Sequence, residues 1–164
     1  MTADIQPGRV TAAYDGDVVV FLIGMRINKP WRLRSWWPVV TAMPLMLQEL
    51  AADPDSGLLG YRMLIGRGGP TLIQYWESMD KLQGFAGDPG RTHRPAWLAY
   101  FQRSYRDGGA GIWHETYLVP AGNHESVYGN MPKTGLGAVG GVVAVSGRGE
   151  TAAERLRQTR TSAS

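Results

Sequence analysis

The chain has no cysteine among its 164 residues. That excludes disulfides, thiolate zinc sites, iron–sulfur clusters and a cysteine nucleophile. Long apolar runs are also missing. The longest, such as Val18-Val-Val-Phe-Leu-Ile23, fall far short of the roughly 20 residues that span a bilayer, so no membrane partner is expected. The opening Met-Thr-Ala-Asp-Ile-Gln-Pro has neither the basic nor the apolar region of a secretory leader, and a cytoplasmic location is expected. No Walker sequence, dinucleotide fingerprint or Gly-x-Ser-x-Gly elbow is present, and Arg67-Gly-Gly is too short to bind phosphate on its own account. Nor is there a marked excess of one charge on the body. The net charge is +3, and Arg148, Arg155, Arg157 and Arg160 against Glu150 and Glu154 place most of it in the tail. Without a basic stripe, nucleic acid is not an expected partner.

What remains is enough for one domain with its own core. Residues 1–16 are polar and turn-rich and read as a flexible arm. Asp17 to Asn28 has the continuous β-branched run of a buried strand. Val39, Met43, Met46, Leu47 and Leu50 have helical spacing, which predicts a helix over 38–52 with Pro44 kinking it or marking a late start. Two strands follow, 58–66 and 71–76, around the turn Arg67-Gly-Gly-Pro70. Ser78 is placed to cap a short helix with Met79, Leu82 and Phe85 on one face. A second helix begins near Pro95 and ends at Asp107-Gly-Gly109. Residues 146–164 read as a disordered basic tail, leaving 17–145 as the folded domain. With the hairpin described next, the order is β-α-β-β-α-α-β-β, which fits the βαββαβ of the ferredoxin-like α+β plan, an antiparallel sheet with helices on one face.

The most informative stretch is Gly111-Ile-Trp-His-Glu-Thr-Tyr through Tyr128-Gly-Asn-Met-Pro132. Pro120-Ala-Gly-Asn123 reads as the turn of a hairpin between two alternating runs. Alternation puts Ile112, His114, Thr116 and Leu118 on one face and Trp113, Glu115, Tyr117 and Val119 on the other. His114 and Glu115 are therefore not a dyad despite being adjacent. In the second run His124, Ser126, Tyr128 and Asn130 are expected to line up, with Glu125 facing Glu115 across the pair. A hairpin carrying ionisable and aromatic groups on both faces suits the wall of a pocket better than a core, since buried polar groups are costly unless paired.

Gln74-Tyr-Trp-Glu-Ser-Met-Asp-Lys-Leu-Gln-Gly-Phe-Ala86, His93-Arg-Pro-Ala-Trp97, Gly111-Ile-Trp-His-Glu-Thr-Tyr117 and Glu125-Ser-Val-Tyr-Gly-Asn-Met-Pro132 together resemble the fumagillin-pathway-type monooxygenase family. That family lies within the antibiotic-biosynthesis monooxygenase, or dimeric α+β-barrel, superfamily. The resemblance covers roughly Asp17 to Leu136. It implies a homodimeric barrel that oxidises a small hydrophobic substrate of polyketide or terpenoid type, in specialised metabolism and without added cofactor. It also implies two alternatives. One is a haem b enzyme of the same superfamily, haem-degrading or aldoxime-dehydratase-like, with His93 as axial iron ligand. The other is a non-catalytic dimeric protein that binds a small ligand.

The candidate catalytic residues are His93, His114, Glu115 and Tyr128. His93 opens a helix, where the dipole disfavours a cation and keeps the imidazole neutral, fit for a metal ligand or a base; the alternative is a residue that closes a loop. His114 is either a satisfied structural histidine or a base. Glu115, beside aromatic rings, is a base if desolvation raises its pKa, and otherwise a hairpin or subunit contact. Trp76, Trp97, Trp113, Tyr117, Glu125 and Asn130 are assigned to the substrate wall, Asn130 acting with Tyr128 on a substrate oxygen. His124, at the turn, is expected to be exposed. Trp31, Trp36 and Trp37 are expected in an interface or the core.

Overall fold

The computed structural model describes residues 4–90, 98 and 100–163. Its main sheet is four-stranded and wholly antiparallel. β2 (Val18–Ile27), β3 (Leu58–Gly66), β4 (Gly69–Trp76) and β5 (Ala110–Val119) lie in the order β3-β4-β2-β5. With helices α1 (Leu33–Ala52) and α2 (Met79–Gly87) on one face, this is the expected ferredoxin-like arrangement. Val19 and Trp76 of the sheet pack there against Leu50 of α1 and Leu82 and Phe85 of α2. The Ser78 hydroxyl caps α2 by accepting from the Lys81 N–H at 3.2 Å, as its position predicted.

α1 begins at Leu33, five residues before the expected start, and takes Pro38 and Pro44 into its interior. Each proline removes a helical hydrogen bond, so packing of Met46, Leu47 and Leu50 holds the helix rather than propensity. Its first turn is tied down from outside, where the Ser35 hydroxyl donates to Asp107 Oδ1 at 2.9 Å. The helix expected to open near Pro95 has its start outside the described residues. Its described end is a π-helical turn over Phe101–Tyr105.

Three expectations fail. Residues 5–12 of the expected arm form strand β1 (Ile5–Ala12), the middle of a second sheet, β6-β1-β7, with β6 (Tyr128–Pro132) and β7 (Val142–Ala144). The expected tail contains the helix Ala152–Ala163, whose Arg155 is only 5% exposed. Arg155 Nε donates to Glu125 at 2.8 Å, and its Nη1 donates to the Gly149 and Glu150 carbonyls. Composition read these segments as disordered because their anchors are polar contacts to distant residues, not a hydrophobic period.

The hairpin is the third failure. β5 pairs with β2 and β6 with β1, so the two runs belong to different sheets. Between them, Ala121 N–H donates to Asp17 Oδ1 (2.7 Å), His124 Nε2 meets the Gly16 carbonyl (3.0 Å) and Ala12 N–H donates to Ser126 Oγ (3.0 Å). These bonds draw the chain away from β5, and His124 is part-buried rather than exposed.

Topology also sorts charge. β2 ends, β3 turns into β4, and β5 begins at one end of the sheet: Ile27 N–H bonds the Gly68 carbonyl (2.9 Å) and Asn28 N–H the Gly109 carbonyl (2.9 Å). Residues 26–34, 66–68 and 106–109 at this end hold six basic side chains and one acidic one, Asp107. At the other end, where Glu77 N–H bonds the Gly57 carbonyl, stand Asp53, Asp55, Glu77, Asp80 and Lys81. The body is thus not uniformly neutral, as its linear sequence suggested.

Candidate functional site

Alternation along β2, β4 and β5 sends Phe21, Ile23, Met25, Leu72, Ile112, His114 and Thr116 to the helix-bearing face. Towards the opposite-end loops, Trp76, Leu50 and Phe85 fill the space between sheet and helices. Towards the basic end, the layers separate around a cavity of about 520 Å³, a volume typical of small-molecule sites. α1 contributes Val39, Val40, Met43 and Met46, α2 contributes Met79, Leu82 and Gln83, and the π-helical turn contributes Phe101 and Tyr105. A π turn widens the helical backbone, and such turns recur at functional sites.

Five of the seven methionines line this cavity: Met25, Met43, Met46, Met63 and Met79. Thioether side chains are polarizable and adapt to irregular ligands. No charged side chain lines it among the described residues; the polar groups are Thr71, Gln83, His114, Thr116 and the hydroxyls of Tyr100 and Tyr105. His114 is the one imidazole among its described lining residues. It packs at 5.6 Å from the Phe21 ring centroid, with the planes tilted by 40°. Its imidazole makes no hydrogen bond to another described residue, so both ring nitrogens are available to a ligand.

The other expected site residues are placed elsewhere. Trp113, Glu115 and Tyr117 lie on the opposite face of β5. There Tyr117 Oη donates to Glu115 Oε2 at 2.7 Å, and this bond to a carboxylate raises the tyrosine pKa. Trp113 lies over Gly24, where a Cβ would come within 2.5 Å of the indole nitrogen. Trp76 is wholly buried in the core, its indole N–H donating to Gln74 Oε1 at 2.8 Å. Tyr128 sits in the second core beside Val18 and Leu136, its hydroxyl accepting from the Gly137 N–H at 3.1 Å. Asn130, with φ of 51°, accepts from the Gly8 N–H at 2.8 Å, and Glu125 is paired with Arg155. None of these expected site residues lines the cavity. His93 and Trp97 lie outside the described residues.

The cavity's methionines and π-turn aromatics were not singled out in the sequence. A signal did exist: Met43, Met46 and Met79 sit on the inward faces of two amphipathic helices, where the sequence reading placed them as core.

Comparison with known proteins agrees with this architecture. A model of the family described as "Monooxygenase af470-like" matches residues 18–136. Monooxygenase af470 of Aspergillus fumigatus is 31% identical over 157 residues, a match covering 82% of this chain and 55% of the fungal protein. The chain thus spans about half the length of that curated relative. Among solved structures, the aldoxime dehydratase OxdRE in complex with butyraldoxime matches with a TM-score of 0.64 at 17% identity, over 82% of this chain and 39% of that one. At that identity the likeness is one of fold. SnoaB of Streptomyces nogalater, a cofactor-independent oxygenase, matches with a TM-score of 0.45 at 15% identity, over 62% of this chain and 91% of that one. Since the family model takes in the whole ferredoxin-like core from β2 to β5 and continues through β6, the chain belongs to the Monooxygenase af470-like family.

Proposed function

We propose that the protein is a monooxygenase of specialised metabolism that oxidises a small, uncharged, hydrophobic substrate of polyketide or terpenoid type, without added cofactor. The observation that carries this reading is His114 placed at an apolar, thioether-rich cavity that offers no other imidazole and no carboxylate or amine among the described residues. An imidazole is matched to proton abstraction at physiological pH. In the proposed reaction His114 takes a proton from an acidified C–H of an enolisable or phenolic substrate. The resulting carbanion passes one electron to dioxygen, and the radical pair combines to a peroxide. Protonated His114 returns its proton as the O–O bond breaks, and the second C–H proton leaves with the departing oxygen. The sum is CH₂ plus O₂ giving C=O plus H₂O, with all electrons supplied by the substrate. Apolar walls exclude water from the carbanion and admit apolar dioxygen.

Among the described residues the cavity offers a haem iron one imidazole, His114. A metal-bound imidazole is ordinarily oriented by a partner on its second nitrogen, and His114 has none among the described residues. His93, the iron ligand that the haem alternative requires, lies outside the described residues. The face of the sheet away from α1 and α2 exposes Leu64, Trp113 and Tyr117 beyond the cover of the second sheet. Apolar exposure of this kind supports a homodimer through that face.

The test is oxygen uptake and ¹⁸O incorporation with a panel of enolisable lipophilic ketones and phenols, led by any ligand that co-purifies and is identified by mass spectrometry. His114→Ala is expected to lower turnover by about 10²–10⁴-fold. Ligand binding without turnover in the wild type would leave a binding protein. A Soret band that vanishes in His93→Ala would replace the cofactor-free reading with a haem enzyme.

A further inference from the structure

The basic end of the sheet combines two features that have no role inside the fold. The first is charge. Arg26, Arg34, Arg67 and Arg106 are all exposed, and none forms an ion pair with another described residue. The one acid at this end is already engaged: Asp107 accepts from Ser35 and Arg32, and its carbonyl accepts from Lys29 Nζ. The second is apolar exposure. Ile65 is 84% exposed, Trp31 77% and Leu33 54%, at the β3–β4 turn and on the approach to α1. Large apolar side chains left this open beside unpaired guanidiniums cost solubility and add nothing to the core.

From this juxtaposition we propose that the Arg26–Arg34, Arg67 and Arg106 end docks peripherally on an anionic lipid surface, with Trp31, Leu33 and Ile65 entering the interface. Tryptophan and aliphatic side chains partition into the boundary between headgroups and acyl chains, while arginines meet the lipid phosphates. The acidic far end, with Asp53, Asp55, Glu77 and Asp80, gives the molecule a charge axis that turns the basic end towards a negative surface. No spanning segment is needed for this, and no helix among the described residues is long and apolar enough to cross a membrane. An acidic protein or a nucleic acid would use the charge but leave the aliphatic Ile65 and Leu33 without purpose; a bilayer uses both.

Docking also has a chemical logic, which rests on the function proposed above. The cavity reaches Met25, Pro70 and Ile112 beside these same loops, and Tyr105, 63% exposed, lines it there. A lipophilic substrate dissolved in a bilayer would enter at this end without crossing water.

The test is cosedimentation of the full chain with vesicles of phosphatidylcholine alone or with about a third phosphatidylserine, at low and high salt. Binding is expected to the anionic vesicles only and to fall with salt. Arg34→Glu/Arg67→Glu should weaken it by about tenfold or more, with an unchanged thermal midpoint as the control for folding. Brominated lipid should quench tryptophan fluorescence in the wild type, less in Trp31→Phe, and to the wild-type extent in Trp113→Phe. Equal binding to neutral vesicles, quenching carried by Trp113, or retention on heparin with no vesicle binding would each overturn the proposal. Failure of vesicle binding with oxygen uptake intact would sink the docking alone. Loss of uptake with docking intact would sink the proposed reaction.

Discussion

Phe21 and His114 face one another across the β2–β5 ladder, ring centroids 5.6 Å apart, and both border the same cavity. Thr116 is the register partner of Phe21, and Ile23 that of His114, so the two rings meet diagonally on one sheet face. No hydrogen bond to a described residue orients the imidazole, which leaves this ring contact to set its position. With His114 as the base proposed above, Phe21→Ala is expected to lower kcat by about tenfold by displacing it, while Phe21→Leu keeps most of it. In a His114→Ala background the Phe21 change should have little further effect on kcat, because its role runs through the imidazole. Oxygen-uptake kinetics on the four variants of the cycle check this. Additive losses would mean that Phe21 acts on the substrate independently.

Trp76 gives a contrasting case. Its position in the Gln74-Tyr-Trp-Glu segment suggested a substrate contact, yet it is 0% exposed and bonded to buried Gln74. Trp76→Phe removes the indole N–H, strands Gln74 Oε1 and leaves a void beside Phe85. The expected loss is about 2–3 kcal/mol of stability, read by denaturant unfolding, with ligand affinity within twofold of wild type. A large change in affinity at unchanged stability would return Trp76 to the site.

The ferredoxin-like core was legible because its signals are local. The β-branched run at Val18–Ile23 marks a buried strand, Ser78 marks a helix start, and alternation along 112–118 assigned His114 and Glu115 to opposite faces, as β5 has them. The second sheet was not legible. β1 and β6 pair across more than a hundred residues, and the contacts that hold them, Asn130 to Gly8 and Ser126 to Ala12, leave no periodic trace. Read as a hairpin, 111–130 appeared to concentrate the chemistry. The fold instead splits it, keeping His114 at the cavity and bonding Glu125 to Arg155, Tyr128 to Gly137 and Asn130 to Gly8 away from it. The basic end escaped notice for a related reason, since its six cations come from three segments that only the topology gathers.

The C-terminal helix is part of the fold, and Arg155 is the residue that makes it so. Its guanidinium is almost fully buried and satisfies Glu125 and two backbone carbonyls. Arg155→Ala leaves the Glu125 carboxylate, itself only 28% exposed, without its cation. Breaking one side of a buried pair costs about 3–5 kcal/mol; with Glu125 partly solvated, about 2–3 kcal/mol is expected. Urea unfolding measures it, and hydrogen exchange should show protection lost in 152–163 before the main sheet. A cost under about 0.5 kcal/mol, the level of an ordinary surface change, would mean that the helix contributes little.

Asp107 ties the start of α1 to the loop between the π turn and β5, and its ionisation should be visible in stability. Its carboxylate accepts from Ser35 Oγ at 2.9 Å and from the Gly109 N–H at 2.7 Å, with Arg32 Nη1 at 3.3 Å. The Ser35 bond is the largest influence, followed by the Gly109 N–H, and together with Arg32 they hold the pKa below the ordinary aspartate value. A carboxylate whose folded pKa is depressed adds stability that is complete above the unfolded pKa, about 4. That stability is lost as pH falls through the folded value. The thermal midpoint should therefore hold near neutrality and decline on acidification below about pH 4. Glu154, also depressed, chiefly by the backbone N–H of Thr151, adds to the same window. The informative quantity is thus the difference between wild type and Asp107→Asn, which lacks the titrating group but keeps an oxygen for Ser35. The variant should start lower at pH 7 and converge on wild type in acid. Parallel curves down to pH 3 would show that the Asp107 contacts do not couple its charge to folding.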